Sequence, residues 1–262
     1  MSFEVGMIQH TQYRRAGLHR AATRAPADAL QFLRRQVAVL RRQPGGPRPW
    51  HYWELHNPWG AAGTAYNSWG FLDLCHSPML VESAAALIGP DIVLFASEWL
   101  PDPSRSLQVP ATMLESDTLH FAVDPACGVT VLLYFGTGQD DAITFEFAPS
   151  RPNEQSDETT DHAAPLRLEP GQILAIDAHL PYRLSGPGAP QAPTVFAVRY
   201  FPATSRYLRD PAAGAHRALT ERYPLLNHAR LPLWLARGQD RAENDFVTGF
   251  NVRAGYWTKA RW

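Results

Sequence analysis

The sequence predicts a mainly β fold with flanking helices, a sandwich or barrel built as one unit. Between Asp91 and Phe201, short apolar and β-branched runs alternate with Pro, Gly and Asp breaks, the pattern of several successive strands. Helical periodicity is confined to the flanks. The length of 262 residues suits one large unit, since β-rich barrels and sandwiches commonly reach about 250 residues as a single domain. Within 1–262 the reading is a single domain: helices and an aromatic loop (26–90), a β core (91–203) and a helical, aromatic C-terminal extension (204–262).

From Pro26 to Gln43, Leu30, Leu33, Val37 and Leu40 recur at near-helical spacing opposite paired arginines, and Pro44-Gly45-Gly46-Pro47 stops the pattern. This predicts an amphipathic helix. Ser77 as N-cap, Pro78 at the first helical position and Gly89-Pro90 as the stop predict a second helix through MLVESAAALI. Between them, Trp50 to Trp69 is aromatic and has no helical stripe, so it reads as a loop or lid. The strand runs are IVLFASEWL, TLHFAV, GVTVLLYFG, AITFEFA, QILAIDA and TVFAVRYF. Arg151 to Pro165 is polar and acidic, which predicts an exposed loop. Beyond Phe201, AHRALTERYPLLNHARLPLWLARG has mixed helical character.

With 24 Lys+Arg against 25 Asp+Glu, the net charge of -1 leaves no basic footprint for nucleic acid or for an anionic membrane surface. No apolar run approaches the roughly 20 residues of a membrane helix, and the first residues lack a basic-then-apolar leader. Cys75 and Cys127, the only cysteines, cannot build a Cys-rich zinc site. The expected setting is cytoplasmic. Lys259 is the only lysine, which disfavours Schiff-base chemistry. The ten histidines are the count that invites a metal-site reading.

Three stretches carry a family resemblance: LIGPDIVLFASEWLPDP (87–103), LESDTLHFAVDPACGVTVLL (114–133) and GQILAIDAHLPYRLSGPGAPQAPTVFAVRYFPA (171–203). In order and spacing they resemble the phytanoyl-CoA dioxygenase-like branch of the Fe(II)/2-oxoglutarate oxygenases. The resemblance implies a double-stranded β-helix, a cupin-type jelly roll. It also implies iron held by a His-x-Asp pair and a later His, with an arginine gripping the co-substrate. Asp117 falls on the Asp of that pair, but Glu115 stands at its His and Tyr182 at the distal His. Gln191 and Pro193 stand at the arginine, and neither supplies a charged fork. None of the ten histidines falls on a ligand position, so the expectation is a degenerate facial triad with no metal and no 2-oxoglutarate.

Glu115 and Asp117, spaced i, i+2, would share one strand face. Two carboxylates in one pocket hold a proton more tightly than either alone, a pairing suited to general acid and base work. Tyr182 adds a hydroxyl, and these three are the expected catalytic residues. Arg199 shares strand parity with Gln191 and Pro193, and would point inward to neutralise the carboxylates or bind an acidic substrate group. Trp99, Tyr134 and Phe145 would line the pocket together with Gln191. His120 and His179, close to the lost ligand positions, are further substrate-binding candidates, although strict alternation turns each to the opposite face.

The predicted function is a small-molecule-tailoring enzyme with metal-independent, redox-neutral chemistry: cyclisation, isomerisation, elimination or addition. Natural-product biosynthesis is the setting the resemblance implies. Two other classes stay open. One is a metal-dependent dioxygenase or hydroxylase with unusual ligands, using Fe(II) and 2-oxoglutarate; the other is a non-catalytic ligand-binding or partner subunit. The expected partner is a small-molecule substrate, with neither nucleic acid nor membrane, and a homo-oligomer is left open.

Overall fold

The computed structural model describes residues 17–100, 117, 121–136, 143–147, 165–185, 193–210, 212–214, 216–217, 231–246, 250–251 and 256–257. Both expected helices form. Helix α1 (Ala27–Arg41) follows Pro26 and buries Leu33, Val37 and Leu40, the stripe that its spacing dictates. A helix that the sequence reading had not marked, α2 (Ser68–Cys75), starts where the Asn67 side chain accepts a hydrogen bond from the Gly70 amide, a polar cap for an otherwise apolar segment. Helix α3 (Pro78–Ile88) has Pro78 in its first turn and ends at Gly89, whose φ of 96° only glycine adopts without strain. Ser77 stands at the N-cap as expected, but its hydroxyl makes no capping hydrogen bond. No single described helix is long and apolar enough to cross a membrane.

The strands are β1 (Leu18–Arg20), β2 (Ile92–Leu100), β3 (Val123–Asp124), β4 (Val129–Tyr134), β5 (Ile143–Phe147), β6 (Leu166–Leu168), β7 (Ile173–Asp177), β8 (Tyr182–Ser185), β9 (Val195–Pro202), β10 (Arg206–Tyr207) and β11 (Trp234–Arg237). A short hairpin, β12 (Phe250–Asn251) and β13 (Tyr256–Trp257), follows. The large sheet has the order β1-β7-β4-β9-β2-β11 and a smaller one β6-β5-β8. All their pairings are antiparallel. The mainly β class with flanking helices is therefore what the chain adopts. One departure is β11: the LPLWLARG stretch, read as helical, pairs with Ile92–Leu94 as an edge strand.

Strand alternation sorts the large sheet into two faces. Val129, Val131, Leu133, Phe196, Val198 and Tyr200 pack against the three helices. Their neighbours Leu132, Tyr134, Val195 and Ala197 face the small sheet, sharing a core with Ile143, Phe145, Phe147 and Tyr182. The two sheets thus face each other across one apolar interior, and anything projecting from the inner face is cut off from water.

A bulge in β2 breaks the alternation. Leu94 pairs with Tyr200 and Ala96 with Arg199, leaving Phe95 as the extra residue. Before the bulge, even-numbered residues pack toward the helices, as Ile92 and Leu94 do. After it they turn inward, so Ala96 and Leu100 join the interior clusters while Trp99 joins the helix side. One inserted residue exchanges the faces of the rest of a strand. It carries Glu98 into the interior.

Candidate active site

Four strands and one wedge converge on Asp117. Thr130 on β4 lies directly opposite Arg199 on β9, and both side chains project inward by alternation. Glu98 arrives from β2 through the bulge, and Tyr182 from β8 of the facing sheet. Thr130 Oγ1 donates to Asp117 Oδ2 at 2.6 Å, Tyr182 OH donates to the same oxygen at 3.3 Å, and Arg199 Nη2 donates to Asp117 Oδ1 at 3.2 Å. The same arginine nitrogen donates to Glu98 Oε1 at 2.5 Å. Arg199, Glu98 and Asp117 are 0 %, 1 % and 2 % exposed. At that burial each charge depends on its partners, and removing one partner of such a cluster costs about 3–5 kcal/mol.

The Trp50 to Trp69 segment forms the wedge. Where the sequence suggested a loop or lid, residues His51 to Asn57 are buried. Trp53 forms an isolated antiparallel bridge with Glu98, and the Leu55 amide donates to the Ser97 carbonyl at 3.3 Å. The segment continues the edge of β2 beyond the reach of β11. It also lays the Trp53 ring under the Arg199 guanidinium, 5.2 Å from carbon to ring centre, a cation–π contact in a water-poor setting.

Two titratable groups flank this wedge. Glu54 is buried at a left-handed backbone position with φ 53°, and its Oε2 accepts from Asn57 Nδ2 at 2.9 Å. Burial pushes its pKa from 4.5 up to about 7, against the lowering effect of the Asn57 hydrogen bond. His56 is 1 % exposed. Its backbone amide donates to Ser97 Oγ at 3.0 Å and its Nδ1 lies 2.8 Å from the same oxygen. Burial, reinforced by the charge of nearby His76, drives its pKa from 6.5 down to about 3.

Asp117 and Tyr182, expected in one pocket, do meet, and Arg199 points inward against the carboxylate as its parity suggested. Tyr134 and Phe145 lie in the interior, Phe145 with its ring 6.1 Å from that of Tyr182. Trp99 does not line this interior. The bulge turns it to the helix side, where it packs on Phe71, Phe135 and Phe196. His179 is on the surface, bonded to Asp177 through both its amide and its ring. Glu115, His120 and Gln191 lie outside the described residues. Glu98, Thr130 and Trp53 are members that the sequence reading passed over. Glu98 carried a signal: a lone carboxylate inside a nine-residue apolar strand needs a buried partner.

The oxygenase resemblance raises iron as a candidate occupant, and the described donors around Asp117 do not fit it. Both oxygens of Asp117 already accept hydrogen bonds, one of them from a guanidinium. The Arg199 guanidinium already offsets one of the Glu98 and Asp117 charges: its repulsion of a second cation about 4 Å away, about 4 kcal/mol per unit charge at an effective dielectric near 20, cancels the pull of one carboxylate. Among the described residues no three His, Cys, Asp or Glu side chains form a group able to hold a metal.

No protein-family model matches the sequence, and no curated protein matches it. Solved structures do. The non-heme monooxygenase ThoJ, in a nickel complex, is 17% identical with a TM-score of 0.58 over 97% of this chain and 88% of its own. CytC3 is 14% identical with a TM-score of 0.59, covering 96% of this chain and 95% of its own. The non-heme alpha-ketoglutarate-dependent epimerase SnoN from nogalamycin biosynthesis is 14% identical, with a TM-score of 0.55 over 80% of this chain and 88% of its own. The class this defines is one of fold: the chain has the architecture of the non-haem iron and 2-oxoglutarate oxygenases. At these identities the likeness establishes the architecture and leaves the chemistry to the residues of the site.

Proposed function

We propose that this chain is a small-molecule-tailoring enzyme that uses an oxygenase fold, a double-stranded β-helix of the phytanoyl-CoA dioxygenase-like type, for redox-neutral proton transfer without a metal. The observation that carries the reading is the set of donors on Asp117. A carboxylate that the fold would commit to iron is here held by a hydroxyl, a phenol and a guanidinium.

The division of labour follows from the chemistry of each group. Asp117 is the general base and Tyr182 the general acid, already joined by a hydrogen bond. Asp117 takes a proton from an acidic C–H or O–H of the substrate, and Tyr182 gives one to the atom that gains it. The proton then returns from Asp117 to the phenolate along their hydrogen bond, leaving the pair as it began. Substrate and product differ by proton positions or by water, as in an isomerisation, cyclisation, elimination or addition. Arg199 stabilises negative charge that develops beside it, a fixed charge needing little reorganisation in a dry site. Thr130 holds the carboxylate at its angle. Glu115, two positions before Asp117, completes the proposed catalytic set, and Tyr134, Phe145 and Gln191 the substrate wall.

Support for the setting comes from SnoN, an epimerase of nogalamycin biosynthesis on this fold; natural-product biosynthesis is the proposed context. The test is a metabolite comparison between cells with and without the chain, followed by reconstitution under anoxia with a chelator. The expected product is isomeric with its substrate or differs by water. A product carrying one more oxygen atom, formed only with air and iron, would overturn the reading.

A further inference from the structure

We infer that Arg199 is the resident cation of this buried cluster, occupying the carboxylate pair that a metal ion would otherwise take. The inference deepens the metal-free reading above and rests on it. Its basis is geometric. A single guanidinium nitrogen reaches both Glu98 Oε1, at 2.5 Å, and Asp117 Oδ1, at 3.2 Å, so one cationic atom lies between two buried carboxylates from different parts of the chain. The Trp53 ring covers the guanidinium, and Thr130 and Tyr182 take the other oxygen of Asp117.

The arrangement is built by the fold. The Phe95 bulge directs Glu98 inward, and the β4–β9 register sets Thr130 beside Arg199. Without the bulge the even-numbered residues of β2 would continue toward the helices, and Arg199 would lose Glu98 as a partner. Hard divalent ions take oxygen ligands at about 2.0–2.6 Å, and the space at that distance from Asp117 Oδ1 is shared with the arginine. The carboxylate pair is therefore closed to divalent cations while Arg199 is in place. With the side chain removed, two buried carboxylates remain facing one another, a site for a free guanidinium ion or a divalent cation.

The test compares wild type, Arg199→Ala and Arg199→Lys in the full-length protein by thermal melting and by quenching of the electron paramagnetic resonance signal of free Mn(II). Wild type and Arg199→Lys take up no stoichiometric Mn(II). Arg199→Ala binds one equivalent, and low millimolar guanidinium, far below denaturing concentration, competes with it. At a hundredfold excess over its dissociation constant, guanidinium raises the melting temperature of that variant by about 5–10 °C and leaves wild type unmoved. Stoichiometric Mn(II) on wild type that Asp117→Asn abolishes overturns both this inference and the metal-free reading. A folded Arg199→Ala that gains nothing from either ion overturns this inference alone. Should Arg199→Ala fail to fold, the charge-free Arg199→Met/Glu98→Gln/Asp117→Asn protein decides. Folding of that triple variant supports compensation of charge as the role of Arg199, and its failure to fold assigns Arg199 to packing and overturns the inference.

Discussion

Replacing Glu54 by glutamine isolates the electrostatic cost of the wedge that covers the site. Burial holds the Glu54 pKa at about 7 against 4.5 for an ordinary glutamate, so between those values the folded protein keeps a proton that the unfolded chain has released. A group of this kind leaves stability intact below pH 4.5 and removes it as pH rises through about 7. The difference corresponds to about 3 kcal/mol at about 1.4 kcal/mol per tenfold change in proton affinity. Glutamine keeps a carbonyl oxygen for the Asn57 amide and cannot ionise. Urea unfolding of both proteins from pH 4 to pH 8.5 is the assay, with the midpoint and slope read at each pH. The stability of Glu54→Gln relative to wild type should improve by about 3 kcal/mol across that range, with most of the change between pH 5 and 8. A difference that stays constant with pH would show that Glu54 titrates alike in the folded and unfolded states, with no cost of burial.

The remaining predictions concern neighbouring groups. His56 titrates in the opposite sense: its pKa falls from 6.5 to about 3, so wild type loses stability as pH falls below about 6.5, and His56→Gln should gain about 3 kcal/mol on wild type between pH 7 and pH 4, read by the same urea series. Thr130→Val removes the 2.6 Å hydrogen bond to Asp117 and should cost about 1.5–3 kcal/mol of stability, with turnover falling more than substrate affinity. Asp117→Asn, which leaves Arg199 with Glu98 alone among its described carboxylates, should cost about 3–5 kcal/mol and lower kcat by at least about a hundredfold. Trp99→Phe, on the helix side of the sheet, should lower the melting temperature while leaving KM unchanged; Phe145→Ala should raise KM. Equal KM effects from the two would contradict the assignment of faces.

What the sequence showed and what it hid divide along the range of the forces involved. Helix α3 was legible because Pro78 and Gly89 act locally, through a fixed φ and a left-handed turn. Strand β9 was legible because seven of its eight residues are buried and apolar patterning extends along it. The inward direction of Arg199 followed from counting in twos, since no irregularity intervenes on β9. Counting in twos fails on β2, where the Phe95 bulge is set by pairing with β9 and leaves no mark of its own in IVLFASEWL; the bulge puts Trp99, expected among the pocket aromatics, on the helix side and Glu98 inside. Trp234–Arg237 reads as helix in isolation and becomes a strand because the edge of β2 offers it hydrogen bonds. The burial of His51 to Asn57 is tertiary in the same way: bridging to Glu98 converts an aromatic loop into part of the wall. Asp117 was found through motif spacing, while its partners came from strands far away in the chain.

Whether the site works without iron can be tested with no knowledge of the substrate. Purified protein is dialysed anaerobically against Fe(II) and 2-oxoglutarate, its iron content is measured, and succinate release is followed after air is admitted, with Asp117→Asn alongside. The expected result is no stoichiometric iron and no succinate above the protein-free background. One equivalent of iron, lost in Asp117→Asn and accompanied by succinate formation, would contradict it.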